Sequence, residues 1–245
     1  MATRRAGRPS TGRPSTGRPS AGRTPADASA GTVAPRLRPV ELPDLTDGTA
    51  QDLAPDAAVS GTRFTELDAT GRSLRGLSLT ECAVEVARLS EADLGGCRFV
   101  AVDLAGLDAT AVRAVGASWR EVAVRASRVG AAELYDGVLD NVAFTGCRLG
   151  FVNLRGASLT DVAFTDCTVD ELDLGDADLT RVAFRGTAVR SLVVRGARLT
   201  DVVLRGAALA ALEGVESLRG ATVTVAQLLD LAPLFAAAAG LRVDE

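Results

Sequence analysis

The sequence predicts an all-β solenoid, a parallel β-helix in which short strands stack coil upon coil into a rod. Three observations predict it. Every fifth residue from Phe64 to Leu209 is apolar, thirty positions in succession, and only Ala69, Ala109 and Ala114 are as small as alanine. A second column two residues earlier, from Thr62 to Ala207, contains one charged residue, Arg72. A longer repeat overlies both: Asn141-Val-Ala-Phe144, Asp161-Val-Ala-Phe164, Arg181-Val-Ala-Phe184 and Asp201-Val-Val-Leu204 recur every twenty residues. Neither a helix, with period 3.6, nor a strand, with period 2, produces a strict period of five. A fixed short period held this long is the mark of stacked units.

Residues two apart on an extended backbone face the same side, so both columns point inward. The remaining positions carry Arg, Asp, Glu, Ser, Thr and Gly, as an outer surface does. Glycine recurs two places after the centre, as at Gly76, Gly96, Gly146 and Gly196, where a corner needs a permissive backbone. Four pentads per twenty residues make a square coil with four short sides. The strings Asn153-Leu-Arg-Gly-Ala157, Ala177-Asp-Leu-Thr and Ala197-Arg-Leu-Thr resemble the A(D/N)Lxx unit of the pentapeptide-repeat family, and its actinobacterial type with a C-terminal helical cap. The resemblance covers roughly residues 61–220 and implies a right-handed quadrilateral β-helix. Its eight coils of twenty would form a rod of roughly 40 Å at about 4.8 Å per strand. Five of the seven Phe residues and Trp119 sit at centres, so aromatics are expected to fill the interior and leave no room for a ligand.

Residues 1–40 form a tail distinct from the rod. The whole tail is expected to be disordered, and residues 7–26 within it are a low-complexity Gly/Arg/Pro/Ser/Thr tract without apolar content. The tail holds eight Arg and one Asp, a net +7, and the rest of the chain 19 Arg and 30 acids, a net −11. Its Gly-Arg-Pro core resembles the AT-hook, which suggests weak, nonspecific, salt-sensitive contact with nucleic acid. Residues 41–60 read as an irregular segment covering the N-terminal end of the solenoid, whose strands otherwise expose unpaired backbone.

The phase breaks after Leu209: the next apolar centres, Leu218 and Val223, are displaced by one residue. Residues 221–245 read as a helical cap. A first helix is opened by Thr224 and runs to Leu231, and a second runs from Pro233 to Ala239. Leu231, Leu234 and Phe235 are the expected cap and dimer contacts, since related family members use this end to form homodimers.

Chemistry is sparse. There is no His and no Lys, which removes Ser–His and Cys–His nucleophiles and any phosphate-binding GxxxxGK[ST] loop. Cys82, Cys97, Cys147 and Cys167 all fall in the inward second column, where a thiol packs as a small hydrophobe. Cys147 and Cys167 are one coil apart, and distance alone permits a disulfide between them. No cofactor, metal or membrane span is expected, no enzyme, and the compartment is read as the cytoplasm. The surface is more informative. Coil 161–180 carries seven acids and no Arg, coil 181–200 five Arg and no acid, so Asp161/Arg181, Asp170/Arg190 and Asp178/Arg198 should pair across coils. One outward column is apolar instead, at Ala123, Ala143, Ala163, Ala183 and Val203, and this smooth strip is the candidate partner surface.

These features describe a non-catalytic scaffold or protein-interaction module with an unnamed protein partner. The resemblance supplies an alternative, a DNA-mimicking modulator of DNA gyrase of the fluoroquinolone-protection type, since the best-known family members present an acidic rod of duplex-like width to that enzyme. The alternation of an acidic and a basic coil opposes it, because a duplex mimic needs like charge along its length. The third reading is a DNA-associated accessory protein acting through the basic tail.

Overall fold

The computed structural model describes residues 31–242, so the tract 7–26, with its expected disorder and its AT-hook resemblance, lies outside the described residues. Through most of the rod each coil supplies two strands, such as Ser158–Thr165 and Thr168–Asp173. Each strand pairs in parallel with its counterparts one coil away at a register of twenty, so that Val142, Val162 and Val182 align, as do Phe144, Phe164 and Phe184. The twenty-residue repeat read from the sequence is this register.

The inward assignment of both columns holds. Every central position from Phe64 to Leu209 is buried except Leu89 and Leu209, which are half-buried against the core. Phe144, Phe164 and Phe184 stack at centroid spacings of 4.7 and 5.2 Å with near-parallel planes. Phe99 and Trp119 are 4.6 Å apart, their planes tilted by 43°. Contrary to the expectation of a filled interior, the lumen between Leu53 and Phe164 retains an apolar cavity of about 100 Å³. Its wall includes Ala109, Ala114 and Ala132, where side chains are too small to meet across the coil.

Corners repeat with the same period. Every fifth residue from Asp56 to Gly106 has positive φ, and most later members of the column share it, among them Gly116, Asp136, Asn141, Gly156 and Asp161. Further along, one corner in four, at Ala111, Ala131, Phe151, Glu171 and Ser191, is made without it, as is the corner at Gly206, and strands such as Arg148–Asn153 run straight through.

The solenoid makes about nine turns, one more than the eight expected. The difference lies at the ends. Thr46–Asp47 pairs with Thr62–Arg63 at a register of sixteen, and Ala58–Ser60 pairs with Ser78–Thr80 at twenty. The segment 41–60 is thus partly a coil in its own right. At the other end Ala221–Thr222 pairs with Val202–Val203 at nineteen, which is the one-residue displacement seen at Leu218 and Val223.

Each end is tied by one polar side chain. Arg72, the charged exception in the second inward column, donates from Nη1 to the Ala50 carbonyl at 2.7 Å and from Nη2 to the Leu53 carbonyl at 2.5 Å. Gln227 donates from Nε2 to the carbonyls of Leu204 and Ala207, both at 2.8 Å. In each case backbone acceptors that no further coil can reach find a partner. Gln227 belongs to a single helix, Val225–Ala238, capped by a reciprocal Thr224–Gln227 pair. The expected break at Pro233 does not occur; proline sits inside the helix. The carbonyl it leaves without an intrahelical partner is that of Leu229, on the exposed side, where water can satisfy it.

Candidate interaction surface

The outward alanine column lies on the face built by strands such as Ser158–Thr165 and Asp178–Arg185, one residue before the stacked phenylalanines. The strand register places Ala123, Ala143, Ala163, Ala183 and Val203 directly one above another. The structure therefore brings all five together. It also puts the chain itself upon them. The backbone N–H of Val33 donates to Asp201 Oδ1 at 3.2 Å, that of Arg36 to Asp161 Oδ1 at 2.8 Å, and that of Arg38 to Asn141 Oδ1 at 2.9 Å. Thr32 and Thr222 share a hydroxyl hydrogen bond at the start of the run. Contrary to the disorder expected of the whole tail 1–40, residues 32–40 form an extended strap along the rod, on the face of the smooth strip, because corner side chains accept from their backbone N–H groups. Ala163 and Ala183, between the Asp201 and Asp161 anchors, are 3% and 2% exposed although they point outward. Ala123, Ala143 and Val203 are half-buried.

The anchors occupy the corner position two residues before each alanine, where Asn141, Asp161 and Asp201 all have positive φ. That conformation aims their short side chains across the face, and Asn and Asp tolerate it better than most residues. Asp161 is the node of the cluster. Arg181 grips it with Nε at 2.6 Å and Nη2 at 2.7 Å, and the two side chains are only 13% and 22% exposed. The Arg181 guanidinium, helped by the Arg36 N–H, holds the Asp161 carboxyl below its ordinary pKa.

All three predicted cross-coil ion pairs are present. Besides Asp161–Arg181, Arg190 meets Asp170 at 3.3 Å, and Arg198 grips Asp178 with Nε and Nη2. Arg155 meets both Asp173 and Asp176. The acidic coil is therefore matched in large part by Arg from its neighbours. Exposed pairs of this kind contribute about 0–1 kcal/mol each and fix register more than stability.

The cap residues separate. Leu231 is buried in the chain's own core and Phe235 is half-buried against it, while Leu234 is exposed. The apolar surface of the helix that faces outward is Val225, Leu228 and Leu229, with Val225 77% and Leu229 68% exposed.

Two shallow outer depressions are lined by Tyr135, Asp136, Arg155 and Asp176, and by Glu91, Asp93, Arg113 and Glu133. Among the described residues no group of three or more His, Cys, Asp or Glu is placed to hold a metal ion, and no helix is long and apolar enough to cross a membrane. All four cysteines are free and buried. Burial pushes the Cys97 thiol up to about 11. Cys147 and Cys167 stack as neighbours: the Cys147 N–H donates to Cys167 Sγ at 3.4 Å, and the Cys147 thiol, with burial, holds Cys167 above the usual range. This inward ladder satisfies backbone donors. Ser127 and Thr187 play the same part, accepting from Leu107 and Cys167.

The family model for a pentapeptide repeat region matches residues 137–213. This chain carries the pentapeptide repeat. The same twenty-residue register continues from the matched coils back to residue 58, so the earlier coils share the architecture. No curated protein matches the chain. Among solved structures, a trypsin-treated form of QnrB1, described as a plasmid-mediated fluoroquinolone resistance protein, is 18% identical, covering 78% of this chain and 91% of that one, with a TM-score of 0.34. HetL, a pentapeptide repeat protein involved in heterocyst differentiation regulation from the cyanobacterium Nostoc sp. strain PCC 7120, is 20% identical, covering 68% and 89%, with a TM-score of 0.26.

Sequence reading located the alanine strip but missed Asn141, Asp161 and Asp201 as anchors and residues 32–40 as their occupant. The signal was present in the corner column, where short acceptor side chains recur beside a strip of alanine. Residues 32–40, with their spaced Val33, Leu37 and Val40, also differ from the Gly/Ser/Thr tract before them.

Proposed function

We propose that the pentapeptide-repeat rod is a non-catalytic protein-interaction module that presents ordered outer columns to a protein partner. The observation that carries this reading is the division between inside and outside. The enclosed space is apolar, with no titratable group on its wall, while polar and charged side chains stand in register on outer faces, as Ser158, Asp178 and Arg198 do, and Thr160, Thr180 and Thr200. A catalytic site needs a desolvated concavity with polar groups converging on it, and an interaction surface needs only a rigid, patterned face. Photo-crosslinking in the native host, from probes on the outer columns at Ser158 and Thr168, should give discrete protein adducts, whereas a probe at the buried Leu159 should give none. Absence of adducts from every outer position would remove the reading.

The gyrase alternative is tested directly by titrating purified protein into a supercoiling reaction, with and without a fluoroquinolone. The matching of the acidic coil by Arg181, Arg190 and Arg198 predicts unchanged supercoiling and no drug protection at micromolar protein.

A second use of the surface is self-association through the cap helix, which is favoured by the exposure of Val225, Leu228 and Leu229 on one element. Large contiguous apolar exposure is unusual on a monomer. Sedimentation should show a dimer that Leu229→Glu converts to a monomer without change in the circular dichroism of the rod. A monomeric wild-type protein at micromolar concentration would end this second reading.

A further inference from the structure

The strap is bound differently from the coils. The coils are held by continuous parallel ladders, but residues 32–40 form no strand and join the rod mainly through side-chain acceptors on their backbone N–H groups. Val33 and Leu37 remain more than a third exposed, so the strap buries its apolar side chains only in part. The path is long for so few attachments. It begins beside Thr222 at one end of the rod and enters the ladder at Thr46–Asp47, beside Thr62, at the other. Elements with few buried contacts and exposed hydrogen bonds lie at the low-stability end of a fold.

The face beneath has the features of a receptor for extended chain. It is flat, because the outward column is alanine, and flat over several coils, because the register is constant. Its acceptors sit at multiples of the coil spacing, about 4.8 Å, and residues of an extended chain advance about 3.3 Å each. The step of three residues from Val33 to Arg36, about 9.9 Å, matches the two coils between Asp201 and Asp161, about 9.6 Å, and the step of two from Arg36 to Arg38 spans the single coil to Asn141 with length to spare. What is read is mainly backbone, which any extended segment offers. Asp161 and Asp201 add negative charge, suited to the Arg side chains that flank the anchored N–H groups.

We propose that this face is a docking surface for an extended, arginine-bearing peptide segment of a protein partner, and that residues 32–40 occupy it in cis as a displaceable pseudo-ligand. The proposal rests on the reading of the rod as an interaction module and specifies which face is used, what chemistry it accepts and what controls access. A partner must compete with a tethered occupant, so its apparent affinity is scaled down by the fraction of molecules in which the strap is undocked.

The test uses the full chain and a Val33→Pro/Arg38→Pro variant. Proline keeps the extended backbone but deletes two of the three anchoring N–H groups, and Arg36 remains available to trypsin. The variant should melt as wild type does, yet be cleaved after Arg36 at least about tenfold faster, since protection follows the docked population. A fluorescent peptide of residues 31–42 serves as the probe. It should bind the variant at least about tenfold more tightly than wild type, the ratio set by self-occupancy, and the added substitution Asp201→Ala should weaken that binding. Equal cleavage rates would overturn the strap as displaceable. Failure of the probe to bind the variant at millimolar concentration, or equal binding to both proteins, would overturn the face as a receptor. Either result leaves the crosslinking and gyrase experiments intact, so failure here is distinguishable from failure of the interaction-module reading.

Discussion

At the residue scale the fold is governed by one conformational demand repeated at corners. A positive φ is nearly free for glycine, tolerable for Asn and Asp, and poor for a β-branched residue, whose Cβ crowds the adjoining carbonyl. The chain obeys this at Gly76, Gly96, Asp136 and Asn141, and violates it at Val86, which has φ of 59° and is 60% exposed. Nothing is gained from the valine by burial. Val86→Asn should therefore raise stability by about 1 kcal/mol, the cost of a strained left-handed residue. The measurement is a urea melt, in which the midpoint rises at unchanged slope; an unchanged or lowered midpoint would mean that Val86 contacts offset the strain. The anchors belong to the same argument. Asn141, Asp161 and Asp201 stand out in the corner column as short acceptors, but their partner is a segment more than a hundred residues earlier, which the corner pattern does not name.

At the element scale the coils were legible because each repeats a local rule, and the terminal elements were not because each solves a unique problem. The single helix shows this. Pro233 is a strong local stop signal, yet the carbonyl it deprives of a donor, that of Leu229, lies on the exposed side, so the tertiary cost of continuing is small. Arg72 shows it more plainly: in the sequence it is an anomaly in an apolar column, and in the structure it caps the N-terminal end by holding the Ala50 and Leu53 carbonyls. Hydrogen bonds from a charged donor contribute about 1.5–3 kcal/mol, and the acceptors left behind would be partly shielded from water. Arg72→Met, which keeps most of the length and removes the donors, should loosen residues 46–60 by about that amount. Hydrogen exchange should rise at the amides of Gly48 and Asp52 while the amides of Phe164 and Phe184 stay as protected as in wild type. Uniform loss of protection along the rod would show instead that the end cap and the coils unfold as one unit.

At the scale of the whole molecule, stability against pH follows from which ionisable groups the rod holds. There is no His, so no side chain of ordinary pKa titrates between about pH 5 and 8. On the acid side, the Arg181 and Arg198 guanidinium groups lower the carboxyl pKa values of Asp161 and Asp178, and the Gly95 N–H, with Arg75, lowers that of Asp93. Around Asp161 the charged neighbours are Arg181 and Arg36, and Arg181 in turn faces Asp201 and Asp140. A carboxyl with a depressed folded pKa contributes stability that is complete above its unfolded value, about 3.9, and lost as pH falls through the folded value. On the alkaline side burial raises the thiols of Cys82 and Cys97, the latter to about 11. A thiol raised in the folded state contributes stability that is complete below its unfolded value, about 8.5, and lost as pH rises through the folded one. The melting temperature should therefore be level between about pH 5 and 8, fall below about pH 4, and fall again from about pH 8.5 to 11. The acid limb should steepen for the strap, because Asp161 serves both Arg181 and the Arg36 N–H, and tryptic cleavage is uninformative at such pH. Pepsin digestion across pH 2–4 reads it instead: cleavage within residues 32–40 should begin at a higher pH than cleavage within the coils. Simultaneous cleavage of both would show that the strap and the rod lose their structure together, and that Asp161 anchors the strap no more weakly than the ladders hold the coils.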